Sequence, residues 1–412
     1  MLGDMVSCAR KHAVSMPSPL LVPWGDHAVL ADAPSHRLQV LNPGARLIYE
    51  ALNDGLTPPV VARILVSAVG LSPEAAARDV EAVRQMTTPP RVRRAAAPSA
   101  AACTPPRRWA GETTYRLVGR PVRLRFGHAR IQASVEPLMA GCLAAGATAA
   151  QRIDLFPVAG GLAVRSPGLP IGYASALDKA LGQVLASAID LLRPEARWIA
   201  VAHAAAVAWS GGVCVLAGRS GAGKTTLTAA LVAAGFGYLT DDMAPLDGNT
   251  GRVYPMPFAL ALKGRSVPAL RTRFPALVDA EVHRDGGRPR RYLDLSAAVP
   301  RGSKDGQPLR LLVFPAFRPG APLEVVRITP QEAFARLLAA RCWVSSMRED
   351  LNDLFALLDA TPAYTLAYAD LDAAVAACRG LADSAPGPWR MRGTARDEQV
   401  DESELPDRQG SA

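Results

Sequence analysis

The sequence lacks any grouping of its six cysteines, which are Cys8, Cys103, Cys142, Cys214, Cys342 and Cys378. It has no CxxC motif and no Cys/His cluster, which excludes the common zinc-binding and dithiol redox patterns. We therefore expect reduced thiols, as in a cytoplasmic protein, and not disulfides. The N-terminus has no apolar segment between Asp4, Arg10 and Lys11, so a secretory signal is not expected either.

Lysine is also scarce. The net charge of +9 comes from arginine, since the only lysines are Lys11, Lys179, Lys224, Lys263 and Lys304. The arginines are scattered, with local clusters only at 91–94 and 288–291. We interpret them as solvated linker and loop surface and expect no nucleic-acid partner, although a basic patch for nucleic acid is the alternative.

Long apolar runs are nearly absent. The longest uncharged run extends from Trp198 to Gly218, and it contains His203, Ser210 and a Gly-Gly pair. Such polar and glycine content favours a pair of buried strands over a membrane span. We therefore expect no membrane association.

A glycine-rich motif follows this run. Residues 218–225 read GRSGAGKT, a complete GxxxxGK[ST] pattern, and the apolar residues 213–217 before them are typical of a strand. In such a loop backbone N–H groups surround phosphates, the lysine reaches the β/γ-phosphates and the hydroxyl holds Mg²⁺. We expect ATP and Mg²⁺ to bind here. The predicted nucleotide-binding residues are Gly218, Arg219, Ser220, Gly221, Ala222, Gly223, Lys224, Thr225 and Thr226, with Thr225 also a metal ligand.

Two adjacent carboxylates, Asp241 and Asp242, follow the next apolar stretch after this motif. In a doubly wound sheet they would lie at the carboxyl edge of a strand, where such sheets collect their ligands. One carboxylate can hold Mg²⁺ while the other accepts a hydroxyl proton. The alternative is an ordinary Asp-Asp turn. His203 precedes the motif, and taken alone a histidine in an alanine-rich strand is more often a core residue.

The segment 20–88 has its own pattern. Short strands are expected at 21–24, 28–30 and 37–41. Three helices are then expected to begin at Asn42-Pro43, Pro58 and Pro73, because asparagine caps a helix and proline fits the first turn. This segment resembles the PqqD family of peptide-binding domains in its residues Leu41–Ala45 and in the Leu52–Thr57 turn. The resemblance implies that a sheet edge and a neighbouring helix hold the leader of a precursor peptide as an added strand. A generic winged-helix module, with DNA as its ligand, is the alternative.

The rest of the chain divides by composition. Residues 1–19 are expected to be an N-terminal arm, 89–112 a Pro/Ala-rich linker, 113–382 a large α/β domain and 383–412 a disordered acidic tail. A strand pair is expected from Tyr115 to Phe126, and 175–192 has the apolar spacing of an amphipathic helix.

The large domain resembles the HPr kinase family. The resemblance rests on His203–Val207, the 212–225 stretch and Leu239–Asp242, and on weaker matches at 254–257, 311–317, 329–333 and 364–371. It implies that Asp242 is the general base, with His203 as its partner, Lys224 as the phosphate clamp and Asp241 as a metal-side carboxylate. It also implies a homo-oligomer. The chain departs from the family at 262–266, which contain no obvious glutamate, so the resemblance does not extend to phosphorylase activity or to a second metal ligand. Lys263 and Arg265 in this stretch either bind the acceptor or a phosphate, or are exposed loop cations. The chain also departs at Arg219, where an acidic residue is frequent.

The sequence thus predicts an α/β fold, with a P-loop HPr kinase-like catalytic domain preceded by a small winged-helix-like α+β domain of PqqD type. The predicted function is ATP-dependent serine/threonine phosphorylation of a precursor peptide or protein. A non-catalytic ATP-binding regulator of peptide modification and a small-molecule kinase are the alternatives.

Overall fold

The computed structural model describes residues 19–32, 37–87, 103–285 and 288–387. Within these ranges the chain is mixed α/β, with ten α-helices and four sheets, which confirms the α/β expectation. Most of the predicted arm, linker and tail lies outside the described residues. None of the helices inside them is both long and apolar enough to cross a bilayer.

Three strands and three helices form the N-terminal unit. They are β1 Leu20–Trp24, β2 His27–Asp32, β3 Arg37–Leu41, α1 Pro43–Asn53, α2 Pro58–Val69 and α3 Pro73–Thr87. The Asn42 side chain accepts a hydrogen bond from Ala45 N at 2.8 Å, and Pro43 lies in the first turn. The three strands and three helices expected from the sequence are therefore confirmed. The sheet order is β1-β2-β3.

Alternate residues of β2 belong to two different cores. Leu30 packs with α1, α2 and α3, whereas Val29 and Ala31 pack into the core of the largest sheet. Trp24 at the end of β1 is 6% exposed and belongs to that second core. The β1-β2-β3 sheet is thus covered on both faces.

A five-stranded sheet follows, with the order β4-β5-β6-β7-β8. Its elements are β4 Gly111–Leu117, β5 Arg120–Phe126, α4 Ala129–Met139, β6 Gln151–Val158, β7 Gly161–Arg165, β8 Gly172–Ala174 and α5 Leu177–Leu192. The expected strand pair and amphipathic helix are confirmed as β4–β5 and α5. Ala180, Val184 and Ala188 form the row of α5 that packs in the apolar cluster of this sheet.

The remaining elements build the largest sheet and a small one. In chain order they are β9 Trp198–Ala202, β10 Ala204–Trp209, β11 Gly212–Ala217, α6 Lys224–Ala233, β12 Gly237–Thr240, β13 Ala244–Asp247, β14 Arg252–Val253, β15 Leu260–Leu262, α7 Ser266–Leu270, β16 His283–Asp285, β17 Arg288–Leu293, β18 Gln307–Phe317, β19 Glu324–Ile328, α8 Pro330–Ala339, β20 Trp343–Val344, α9 Arg348–Ala360, β21 Ala363–Tyr368 and α10 Leu371–Asp383. The small sheet has the order β15-β17-β16.

The largest sheet is mixed, with both parallel and antiparallel strand pairs. Its order is β12-β10-β11-β18-β14-β13-β9-β20, with β21 between β18 and β19. Only the β11–β18 and β18–β21 pairs are parallel. The cause is the tight turn between Trp209 and Gly212, which folds β10 back against β11 as an antiparallel neighbour. Strand β10 therefore separates β12 from β11.

The long uncharged run forms three strands, not the expected two, because it breaks at His203. The antiparallel pairing of β9 with β13 and of β10 with β12 is also interrupted opposite His203. Ala202 pairs with Ala244, and pairing resumes with Ala206 opposite Thr240, so the two rungs are four residues apart on both strands. Asp241 and Asp242 occupy the interruption on the facing strand. His203 is thus not inside a strand, but at a gap in one.

Candidate active site

Three chain segments meet at one edge of the largest sheet. Strand β10 is antiparallel to both β11 and β12, so these two strands run in the same direction. Their carboxyl ends therefore lie at the same edge as the amino end of β10. The loop 218–225 (the glycine-rich loop) leaves β11 there, Asp241 leaves β12, and His203 enters β10.

The glycine-rich loop leads directly into α6, which begins at Lys224. A helix N-terminus presents backbone N–H groups without intrahelical partners, and these favour an anion. Lys224 is 8% exposed, and its Nζ donates hydrogen bonds to Gly218 O at 2.6 Å and to Arg219 O at 3.4 Å. Burial lowers the pKa of Lys224, an effect that Asp241 and Asp242 oppose. The Lys224 side chain therefore packs across the glycine-rich loop and contacts its first two carbonyl groups.

His203 and Asp242 form a hydrogen-bonded pair, with 2.9 Å between Nδ1 and Oδ1. The hydrogen bond to Asp242 raises the pKa of His203, and burial opposes it. Burial raises the pKa of Asp242, but the hydrogen bond and charge of His203 outweigh it, so the net pKa is lowered. Both directions favour an imidazolium paired with a carboxylate.

Asp241 has a different environment from its neighbour. Its Oδ1 atom is buried without a hydrogen-bond partner. Burial and the nearby Asp242 charge raise the pKa of Asp241 to about 7, and the Thr225 hydroxyl, Lys224 and His203 oppose this rise. A buried carboxylate oxygen without a partner beside a threonine hydroxyl fits a hard cation such as Mg²⁺, which prefers oxygen ligands.

A cavity of about 1780 Å³ contains most of the predicted site residues. Those that line it are His203, Ser220, Gly221, Gly223, Lys224, Thr225, Thr226, Asp241 and Asp242. Gly218, Arg219 and Ala222 belong to the same loop but do not line the cavity. The Ala222 carbonyl instead accepts a hydrogen bond from Phe317 N at 3.1 Å. The structure therefore brings together residues spread from 203 to 242.

The cavity also contains cations that sequence reasoning left ambiguous. Lys263 and Arg265 line it, and Lys263 Nζ lies 3.2 Å from Ser220 Oγ in the glycine-rich loop. Arg290 of β17 lines the same cavity, and its charge lowers the pKa of Asp242. From sequence alone, a cation at Lys263 is equally consistent with a ligand role and with an exposed loop. Its position beside the loop favours the ligand role.

Two aromatic residues of this site were not predicted as site residues from the sequence. Phe317 ends β18 and Tyr368 ends β21, with their ring centroids 5.7 Å apart. Tyr368 Oη lies 3.4 Å from Gly223 O. Both residues fall inside the stretches that carried the family resemblance, but their contact with the glycine-rich loop depends on the pairing of β18 and β21. Sequence spacing does not report that pairing.

Other kinds of site are not found in the part of the chain that the structure describes. No group of three or more His, Cys, Asp or Glu side chains there is arranged to hold a metal. The five cysteines among those residues are buried free thiols. Cys8 lies outside them.

Comparison with protein-family models gives no match for the chain, and none of the curated proteins matches it significantly.

Proposed function

We propose that the protein transfers the γ-phosphoryl group of ATP to a hydroxyl group of a peptide or protein. The observation that carries the proposal is the His203–Asp242 pair, held at the same sheet edge as the glycine-rich loop. A loop of this sequence alone indicates only that a nucleotide binds. A carboxylate directed into the same cavity adds a group that can accept a hydroxyl proton.

The glycine-rich loop and Lys224 would bind the triphosphate. The backbone N–H groups at the start of α6 favour negative charge. Lys224 lies within the loop, where its ammonium group can exchange the two carbonyl contacts for phosphate oxygens. Lys263, beside Ser220, would contribute a second cation.

Thr225 and Asp241 would hold Mg²⁺. The buried, unpartnered Oδ1 of Asp241 is the observation that supports this assignment. Two protein ligands are typical where phosphate oxygens and water complete the octahedron. When bound, the cation neutralises charge that develops on the phosphate oxygens.

Asp242 would orient the acceptor hydroxyl and receive its proton. In the transfer, the bond between the acceptor oxygen and the γ-phosphorus forms, the bond from that phosphorus to the β–γ bridging oxygen breaks, and ADP leaves with the electron pair. The lowered pKa of Asp242 keeps it ionised but makes it a weak base. This suits phosphoryl transfer, because in a loose transition state little proton movement has to precede bond cleavage.

The N-terminal unit would bring the peptide. Strand β3 pairs with β2 on one side only, and its other edge has no strand partner among the described residues. An open strand edge can add a peptide strand through backbone hydrogen bonds. Such tethering raises the concentration of an attached hydroxyl at the cavity.

The test is transfer of label from [γ-³²P]ATP to a defined pool of serine- and threonine-containing peptides. We expect labelled phosphopeptide with the unchanged protein, and loss of at least about a hundredfold in rate with Lys224→Ala and with Asp242→Asn. Asp279→Asn, which removes an exposed carboxylate outside the cavity, is the matched control and should retain full activity.

Other outcomes identify the alternatives. Tight ATP binding without any phosphorylated product would indicate a nucleotide-dependent regulator. ADP release that is stimulated by small hydroxyl compounds but not by peptides would indicate a small-molecule kinase. Undiminished transfer in Asp242→Asn would refute the proposed role of that carboxylate.

A further inference from the structure

Helix α5 carries more apolar surface than its sheet covers. One row, Ala180, Val184 and Ala188, is fully buried against the five-stranded sheet. A second row, Leu177, Leu181 and Leu185, is only partly buried and lines the active-site cavity. Because side chains four residues apart share one helix face, this row forms a continuous leucine strip along the cavity.

Helix α4 continues this apolar surface. Ala133, Pro137 and Leu138 also line the cavity. The carbonyl of Leu138 accepts a hydrogen bond from Ala259 N at 2.8 Å, which joins the end of α4 to the residue just before β15. We call six apolar cavity-lining residues of α4 and α5 the helical wall; Ser134 and Asp178 of the same helices also line the cavity. The helical wall is formed by Ala133, Pro137, Leu138, Leu177, Leu181 and Leu185.

The helical wall lies on the carboxylate side of the cavity. Met243, which directly follows Asp242, packs in the same apolar cluster as Leu138, Leu177 and Leu181. The loop side of the cavity belongs to other clusters, which include Tyr368 and Leu371. A group seated on the helical wall therefore lies in the same cavity as Met243 and Asp242, on the side where Met243 packs.

The charges of the cavity are distributed unevenly. Lys224, Lys263 and Arg265 belong to the glycine-rich loop and the segment beside it, and Arg290 also lines the cavity, whereas α4 and α5 contribute mainly apolar groups together with Ser134 and Asp178. A charged side chain placed against the leucine strip would lose hydration without gaining a partner from the leucines. An apolar one would bury surface that is otherwise exposed to water.

We infer that the acceptor is a peptide segment whose residues next to the phosphorylated hydroxyl are apolar, and that the helical wall selects them. The inference rests on the proposed function, since it takes Asp242 to mark the acceptor hydroxyl. The inference adds a substrate class to that function. The glycine-rich loop and the N-terminal unit do not restrict the residues around the acceptor hydroxyl, whereas the helical wall favours apolar residues on either side of it.

Binding and transfer are tested separately. Fluorescein-labelled nine-residue peptides with one central serine carry Leu, Asp or Lys on both sides of the serine and lack any leader segment. Their affinity for the full-length protein is measured by anisotropy in the presence of MgADP. We expect the Leu-flanked peptide to bind at least about tenfold more tightly than the other two.

Substitutions locate the preference. Ala133→Asp places a charge at an exposed position of the helical wall, so it should leave the fold intact and reduce binding of the Leu-flanked peptide about tenfold. Leu181→Asp, at the centre of the strip, should also reduce binding of the Leu-flanked peptide, and its unfolding curve shows whether the fold is kept, because Leu181 packs partly against the core. Ala129→Asp is the same change one turn earlier on α4, outside the cavity, and should have no effect.

Equal binding of the three peptides, no binding of any, or equal loss in Ala129→Asp and Ala133→Asp would overturn the inference. Selective binding of the Leu-flanked peptide without any transfer of label from ATP would uphold the helical wall and refute the kinase function. Transfer of label from ATP without any preference for Leu-flanked peptides would support the kinase function and refute the role of the helical wall.

Discussion

Gly223 shows how a single residue type can be required by a contact that is remote in sequence. Its φ is +94°, in the left-handed region. A Cβ atom there would overlap Tyr368 Oη and would lie 3.1 Å from Phe317 Cβ. The motif requires glycine at this position for the approach of phosphate, and the structure adds a second requirement from β18 and β21.

We therefore predict that Gly223→Ala weakens ATP binding at least about tenfold, because the left-handed conformation and the overlap together cost about 1–3 kcal/mol. Titration calorimetry with a non-hydrolysable ATP analogue measures the affinity. Gly264→Ala is the matched control, since Gly264 lines the same cavity and a Cβ there meets nothing within 4 Å. Gly223→Ala combined with Tyr368→Phe should recover only part of the loss, because the backbone strain remains. Unchanged affinity in Gly223→Ala would contradict the prediction.

Residue patterns predicted much of the site but not its surroundings. The loop, the two carboxylates and His203 were found because each is a distinctive residue type at a short spacing. Phe317, Tyr368 and Arg290 were not, because their contacts with the loop depend on strand pairings between distant segments. Strand alternation and helical spacing predict which apolar side chains share a buried face, but not which side chains of other elements they contact.

At the scale of an element, the five-stranded sheet is held across its outer face by one buried carboxylate. Asp154 of β6 is 1% exposed. It accepts hydrogen bonds from Arg125 Nε at 2.9 Å and from Arg165 Nη2 at 2.6 Å, which join β5 and β7 to β6. Arg152 Nε lies 3.1 Å away. Three neighbouring strands are thus connected through a single side chain.

Asp154→Asn should reduce the free energy of unfolding by about 3 kcal/mol at neutral pH, since it leaves several cations without their counter-charge. Burial raises the pKa of Asp154, but the hydrogen bonds and charges of the arginines outweigh it, and the net pKa is lowered. The stabilisation is therefore complete above the unfolded pKa of about 3.9 and is lost as the pH falls through the lower folded pKa.

Denaturant unfolding of both proteins between pH 2 and pH 7 measures this difference. Glu112→Gln in β4 is the control, because the exposed Glu112–Arg123 pair at 3.3 Å should contribute less than about 1 kcal/mol. A difference between Asp154→Asn and the unchanged protein that stays constant below pH 3 would contradict the assignment.

Element boundaries were easier to predict than element partners. The Asn42 cap, the prolines at helix starts and the apolar spacing of α5 are local signals, and each has its counterpart in the structure. The position of β12 was not predictable, because no local signal shows that β12 pairs with the far edge of β10 and not with β11. The apolar spacing of α5 predicted a helix, but it did not show that Leu177, Leu181 and Leu185 line a cavity.

At the scale of the whole molecule, Trp24 joins the N-terminal unit to the larger domain. Its ring stacks on Phe355 with a centroid distance of 4.2 Å and meets Phe334 edge-on at 5.9 Å. Its Nε1 donates to Asp359 Oδ1 at 3.0 Å. Arg348 Nη2 also donates to Leu21 O at 3.1 Å. Strand β1 is thus fixed to α8 and α9, and the edge of β3 that has no strand partner among the described residues has a defined position relative to them.

We predict that Trp24→Ala lowers the free energy of unfolding by about 3–5 kcal/mol, since it empties a buried aromatic position. Hydrogen exchange should accelerate in both β1 and α9, because each loses its partner. Trp24→Phe should have an intermediate effect, as it keeps an aromatic ring and loses the hydrogen bond. Leu47→Ala, at a position of α1 that is 62% exposed, is the control. Faster exchange confined to residues 20–87 would show that the two parts are stable independently.

The gap in the ladder at His203 has a consequence for how this site tolerates change in chain length. The two rungs that flank the gap share one offset, with Ala202 opposite Ala244 on one side and Ala206 opposite Thr240 on the other, and the register shifts immediately beyond Ala206. These two rungs together set the alignment of His203 with Asp242. Substitutions that keep both rungs leave that alignment unchanged, whereas one residue inserted within the gap makes the rungs disagree, and the strand on one side must then shift by one residue and turn its side chains to the opposite face. The site is thus robust to changes of side chain and sensitive to a change of a single residue in length.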